Sequence, residues 1–344
     1  MSVPDTEPVR KHSRAGLFIP FILLLVAMVA WTGFWFWLRI QTADRMDETA
    51  EALRAAGYEV SWSERSIGGF PFRLNVTLTE PRIREPSGWA LAAPRLESEA
   101  YIHGLGNWIF AAPEGLTFTR PVAGPVEVKG RVLRASLAGL DEAIPRFDFQ
   151  GADLSFTPGA GAQPFGLSAA KLAEIHLRPA PEDQAGFFVE VKEGQARFSG
   201  LFANIAEDGE IALKWDSILT KASALRGADW PSAARAWADA GGTMQVQEAG
   251  LTAGEAVIGV RSGVLSVGDD GRLVGALETT LRQAPRALEA MGEGGVLPEE
   301  TAETAAAVAA AREGADETAQ ATITFQAGRT TLGPVAIGPA PRVY

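Results

Sequence analysis

A chain of 344 residues is long enough for one large or two modest domains with a sizeable core, so size alone demands no covalent staple. It contains no cysteine, which excludes disulfides, thiolate nucleophiles and thiolate-bound zinc or iron-sulfur centres. The formal charge of -11 is unevenly divided: residues 1–39 carry Arg10, Lys11, Arg14 and Arg39 against Asp5 and Glu7, net +2, leaving -13 for the rest. A domain that acidic repels phosphate backbones, so no nucleic-acid partner is expected.

Residues 1–14 read as a cytoplasmic tail. Ala15 to Leu38 is a run of 24 residues without a charge, 13 of them Leu, Ile, Val or Phe. As a helix it spans roughly 36 Å against roughly 30 Å of bilayer hydrocarbon, so it can cross with some tilt. Those 13 side chains favour insertion by about 4 to 8 kcal/mol. Pro20, in the second turn, is expected to kink the helix without abolishing it. Arg10, Lys11 and Arg14 precede the span, and the positive-inside rule then places the N-terminus in the cytoplasm and the C-terminal domain on the far side. Trp31, Phe34, Trp35, Phe36 and Trp37 crowd the last two turns, where amphipathic rings settle at headgroup level. They occupy the place where a small-x-small cleavage site would stand, so the segment reads as an uncleaved signal anchor.

Residues 39–57 continue as a helical stalk with Met46, Ala50 and Leu53 on one face and Gly57 as its stop; Asp44, Arg45, Asp47, Glu48, Glu51 and Arg54 are expected on a solvated face. From residue 58 to 344 the period changes to alternation and a β-rich domain is expected. After Gly68-Gly69, the even positions Phe70, Phe72, Leu74, Val76 and Leu78 share a face, with Pro71 restricted to a strand start or an edge. Alternation recurs at Val126–Lys129, Phe147–Phe149, Phe187–Val191, Ile211–Leu213, Met244–Val246 and Ile323–Phe325. A hairpin is expected from Leu265–Val267 through Gly268-Asp269-Asp270-Gly271 to Leu273–Leu277. The 37 glycines and 21 prolines suit the turns of an antiparallel meander.

Helical insertions are expected near 229–240 and 284–314. Asp229 caps the first, which stops at Gly241-Gly242; a second runs from Ala284 to Met291, and Pro298-Glu299-Glu300 opens an alanine-rich third. The fold class is therefore mainly β: a transmembrane helix followed by a large antiparallel, curved or rolled sheet with a few peripheral helices.

No motif points to catalysis. Beyond His12, only His103 and His176 occur, too few for a multi-histidine metal site, and no Gly-x-Ser-x-Gly elbow or phosphate-binding glycine loop is found. Asp269 and Asp270 are accounted for as turn formers. Trp62, Trp89, Trp108, Trp215, Trp230 and Trp237 are candidates either for a ligand groove or for the core. No catalytic, cofactor-binding or metal-binding residue is assigned, and no cofactor is expected.

The piece Gly68-Gly69-Phe70-Pro71-Phe72-Arg73, following a membrane helix and a stalk, resembles an uncharacterised envelope-protein family of Gram-negative bacteria. Trp89 with Ala93-Pro94-Arg95-Leu96, then Asp270-Gly271-Arg272-Leu273-Val274-Gly275, and the closing Leu332-Gly333-Pro334 to Gly338-Pro339-Ala340-Pro341 extend the resemblance over most of 40–344. That family looks distantly AsmA-like, which implies an anchored sheet curled into a groove and associated with lipid movement or upkeep of the envelope. A long sheet with one apolar face must cover it with helices, another sheet or a ligand, and the helices expected here are small. The sequence thus leads to an expected non-enzymatic protein of the inner membrane with a periplasmic domain that binds lipid or another amphiphile. A scaffold docking on an envelope protein complex and an envelope-polymer hydrolase are the alternatives.

Overall fold

The computed structural model describes residues 15–196, 210–253, 256–282, 285, 288–289, 299–311, 318–333 and 335–344. Span and stalk form one helix, α1 (Ala15–Ala55), which at 1.5 Å per residue is about 60 Å long. It ends where Gly57 takes φ +91°, with Gly57 N–H donating to the Arg54 carbonyl and Tyr58 N–H to that of Leu53, the pairing of a Schellman stop.

Twenty strands follow in a single antiparallel sheet. The first ten are five long strands, each broken once: β1 (Glu59–Ser61) with β2 (Glu64–Gly68), β3 (Arg73–Thr79) with β4 (Arg82–Arg84), β5 (Ala90–Ala92) with β6 (Arg95–Tyr101), β7 (Trp108–Ala111) with β8 (Leu116–Arg120), and β9 (Gly124–Lys129) with β10 (Val132–Ala138). The breaks lie side by side. Pro81, Pro94 and Pro113 have no N–H to give a ladder, and Glu80 (φ +49°) and Gly115 (φ +90°) turn the chain. The crease continues into β11 (Arg146–Pro158), whose first half pairs with β10 and whose last four residues pair with β9, with Asp153 at φ +51° between them.

Beyond β11 the meander is regular: β12 (Leu167–Ala180), β13 (Gln184–Ala196), β14 (Glu210–Thr220), β15 (Met244–Ala253), β16 (Ala256–Val267), β17 (Leu273–Arg282), β18 (Thr318–Gln326), β19 (Arg329–Leu332) and β20 (Val335–Pro339). The expected hairpin is β16–β17, with Val267 opposite Leu273. Two described helices interrupt the meander. α2 (Trp230–Asp239) has an Asp229–Ser232 capping box, and α3 (Glu299–Ala310) opens on Glu299 and Glu300. Most of 284–298 and all of 312–317 lie outside the described residues, so the helix expected over Ala284–Met291 is not assessed beyond the helical positions 285, 288 and 289.

Neighbouring strands in a sheet rotate by about 20 to 25°, so the seven or so steps from β4–β5 to β14–β15 turn the strand direction by roughly half a circle. This brings together parts from opposite ends of the ladder. Glu85, in the β4–β5 turn, accepts a hydrogen bond from Trp230 N–H (3.2 Å); Trp230 Nε1 donates to the Val343 carbonyl (2.6 Å), and Arg235 lies over the Tyr344 ring. β1 and β20 remain unpaired with each other, and the sheet is curved but open.

Register carries a single apolar face across the molecule. Residues opposite one another run from Val76 in β3 through Ser98, Phe110, Ala135 and Phe149 to Ile175, and on through Val189, Trp215, Ala249, Val260 and Thr279 to Ala321 in β18. Opposed residues of an antiparallel ladder share a face, so these twelve positions line one side of the sheet.

Candidate functional site on the apolar sheet face

Cover over this face is uneven. At the β2–β3 end α1 packs on it: Trp35 and Leu38 bury Ile67, Leu74 and Val76, with Met46 and Trp108 at the margin, and Leu74 has no exposed surface. The stalk is thereby docked along the sheet and does not project from it. Asp47 lies exposed, as expected of the solvated face, and also receives two hydrogen bonds from Arg65 (2.7 and 2.9 Å), while Arg65 reaches the Ala43 carbonyl. The Arg65 hydrogen bonds hold the Asp47 carboxyl below its ordinary value despite some desolvation.

Across β11 to β14 the same face is only half-buried. Phe147, Phe149, Ile175, Leu177, Val189 and Trp215 each keep part of their surface open; Leu177 packs against the cluster that includes Trp237 of α2, and Phe149 and Trp215 lean on buried side chains of neighbouring strands. Trp215 Nε1 donates to Ser217 Oγ (3.0 Å), and Ser217 Oγ in turn donates to the Phe187 carbonyl, so the one polar atom of the indole is spent within the sheet and its ring presents hydrocarbon. At the far end, α3 and Leu288 sit against β17 and β18 around a cavity of about 780 Å³ lined by Leu281, Val308, Ala319 and Ala321. That volume falls within the range of small-molecule sites.

The reverse face is polar over the same strands. Gln150 donates to Glu174 (2.9 Å), Lys192 pairs with Glu190 and Lys214 with Glu248. His176 Nδ1 lies 2.5 Å from Asp148 Oδ1, and Arg178 donates to the same oxygen at 3.3 Å. Burial pushes the Asp148 carboxyl up, but the hydrogen bonds from His176 and Arg178 together outweigh it and hold the group below its usual range. Among the described residues no group of three His, Asp or Glu is placed to hold a metal ion.

The structure joins two sets of residues that the sequence presents separately. Trp31 Nε1 donates to the Pro71 carbonyl (2.9 Å) and Trp35 Nε1 to that of Arg73 (3.0 Å); the Trp31 and Phe72 rings lie 6.0 Å apart, and Trp35 meets Phe70 edge to face at 5.6 Å. Phe34, Phe36 and Trp37 remain exposed, whereas Trp35 is buried in the α1 cluster. The even positions from Phe70 do not all belong to one strand. Phe70 and Phe72 lie in the turn, and the shared face begins at Leu74 because β3 starts only at Arg73. Gly69 has φ +99°, and a Cβ there would lie 2.7 Å from the Arg73 carbonyl oxygen; Gly68 has open space around it. Arg10, Lys11 and Arg14 lie outside the described residues.

Of the six tryptophans weighed as groove residues, Trp215 alone lies on the half-open stretch. Trp62 is held between Arg54 and Arg65, Trp108 joins the α1 cluster, Trp237 is buried between α2, which carries it, and Ala185 and Leu219, Trp230 bonds to the C-terminal tail, and Trp89 is exposed in the β4–β5 turn.

Residues 35–341 match the family described as "Uncharacterized protein conserved in bacteria (DUF2125)". The chain belongs to this family. No curated protein and no solved structure matches it. The family match begins at Trp35, so it takes in the last turn of the apolar run, the docked stalk and the β domain as one unit.

Proposed function

We propose that this member of the family is a single-pass protein of the inner membrane of the cell envelope, with a cytoplasmic N-terminus and a periplasmic β domain that holds an acyl chain, of a lipid or another amphiphile, without chemistry. The observation that carries the reading is the half-exposed stretch Phe149, Ile175, Val189 and Trp215, on a face that α1 covers elsewhere. An apolar sheet face left partly in water carries a cost of about 25 cal/mol for each Å², which a hydrocarbon chain lying along it removes. The distant resemblance to AsmA-like envelope proteins supports the same role.

The test is gentle extraction of the full chain followed by mass spectrometry of the lipids that come with it. Enrichment over an unrelated single-pass protein is expected; none leaves the face without its occupant.

A second reading, docking on an inner-membrane protein complex, is favoured by one patch. Ile83 and Leu91 are paired in register on β4 and β5, and both are exposed beside Trp89. Cross-linking from Leu91→Cys in cells, in a chain with no other cysteine, distinguishes it by returning a discrete protein adduct.

A further inference from the structure

We infer that the Gly68–Phe72 turn is a second membrane contact, with Phe70 and Phe72 seated in the headgroup and upper acyl region beside the point where α1 leaves the bilayer. The inference rests on α1 crossing a bilayer, which is part of the reading above, and not on the apolar face holding a lipid.

Depth decides it. The Trp31 hydrogen bond to Pro71 ties the turn to the helix seven residues before Leu38, the last residue of the apolar run. Seven residues are about 10 Å of helix. The apolar run exceeds the hydrocarbon thickness by only about 6 Å, and tilt consumes part of that. Even if the whole surplus emerged on this side, the level of Trp31 stays below the hydrocarbon boundary, and helical side chains lean further toward the N-terminus. The turn at that level is therefore drawn into lipid.

The turn is built for such a place. Its side chains are two aromatics, with Phe70 53% and Phe72 61% exposed, next to the exposed Phe34 and Trp37. Three of its carbonyls have internal partners: those of Gly69, Pro71 and Phe72 accept from Arg73 N–H, Trp31 Nε1 and Ile102 N–H, the adjoining Arg73 carbonyl accepts from Trp35 Nε1, and Pro71 has no N–H to satisfy. Backbone groups that enter lipid need such internal partners. Arg73, the first residue beyond the turn, is paired with Glu99 and the Tyr101 hydroxyl, at the level where a charged group meets headgroups.

Since the chain has no cysteine, single labels report single sites. Phe72→Cys, with Leu25→Cys as the bilayer reference and Val122→Cys as the aqueous one, is labelled with an environment-sensitive fluorophore and reconstituted as the full chain into phosphatidylethanolamine and phosphatidylglycerol vesicles. Val122 lies in the β8–β9 turn and is 87% exposed. Nitroxide-bearing lipids are expected to quench the Phe72→Cys label several-fold more than the Val122→Cys label. If Phe72→Cys yields no folded protein, Phe70→Cys reads the same turn. Strong quenching at Leu25→Cys with aqueous behaviour at residue 72 or 70 overturns the inference and leaves the anchor standing. Aqueous behaviour at Leu25→Cys as well overturns both.

Discussion

Val76 in β3 and Ile175 in β12 stand on one face of one sheet, yet the first is buried under a helix and the second is only half-buried. The difference is one of breadth. Counting each broken pair as one strand, the sheet is some fifteen strands across, roughly 70 Å at about 4.8 Å per strand, whereas a helix about 10 Å wide covers only two or three of them. α1 lies along the strands at one end, α3 serves the other, and in the middle α2 covers only the part around Ala185 and Leu219, leaving the rest to whatever else is apolar. A sheet this broad, with so few helices among the described residues, is incompletely covered there, and its stability and its binding should therefore separate by region.

The largest effect expected from that separation is at the covered end. Leu74→Ala removes a fully buried side chain and should cost about 2 to 5 kcal/mol, read by denaturant unfolding of the detergent-solubilised chain. In the middle, Val189→Asp places a charge on the half-open face; it should unfold at higher denaturant than Leu74→Ala while losing most of the co-purifying lipid. A lipid yield equal to that of the parent chain would erase the distinction between the regions.

Two smaller changes sharpen it. Asp229→Ala removes the cap of α2 and should cost about 1 kcal/mol, loosening the contact between Trp230 and Glu85 without touching α1. The smallest effect lies on the polar reverse face. The Asp148 carboxyl is held below its ordinary value in the folded chain, so its contribution is complete above about pH 4 and is lost as pH falls through the lowered value. Unfolding curves between neutral pH and pH 3 should show that acid loss reduced in Asp148→Asn.

Much of this was legible in the residues. The uncharged run of 24 sets α1, Gly57 sets its end, and strict alternation at Phe147–Phe149 and Phe187–Val191 fixes which side chains share a face. What alternation does not disclose is the crease. The alternating run read from Phe70 ends at Leu78, before Pro81, and only the pairing of β3 with β6 and of β4 with β5 shows that β4 continues the same strand. β12 escapes for another reason. Ser168-Ala169-Ala170-Lys171-Leu172-Ala173-Glu174 has a helix-former's composition, overridden by hydrogen bonding to β11 and β13 on both sides. The contact of Trp31 with Pro71 joins residues 40 apart, a distance no local pattern encodes. Each partner was visible alone, the aromatics as a belt and Gly68-Gly69-Phe70-Pro71 as the opening of an alternating stretch.

The unbroken α1 has a mechanical consequence. No hinge separates the apolar run from the part that Arg65, Trp31 and Trp35 fasten to the sheet, so the two move as one lever. Apolar runs longer than the local hydrocarbon adjust by leaning, and a change of about 10° in lean swings a part of the sheet about 45 Å away from the helix by roughly 8 Å. With the proposed crossing, bilayer thickness becomes a setting for the direction in which the uncovered strands face.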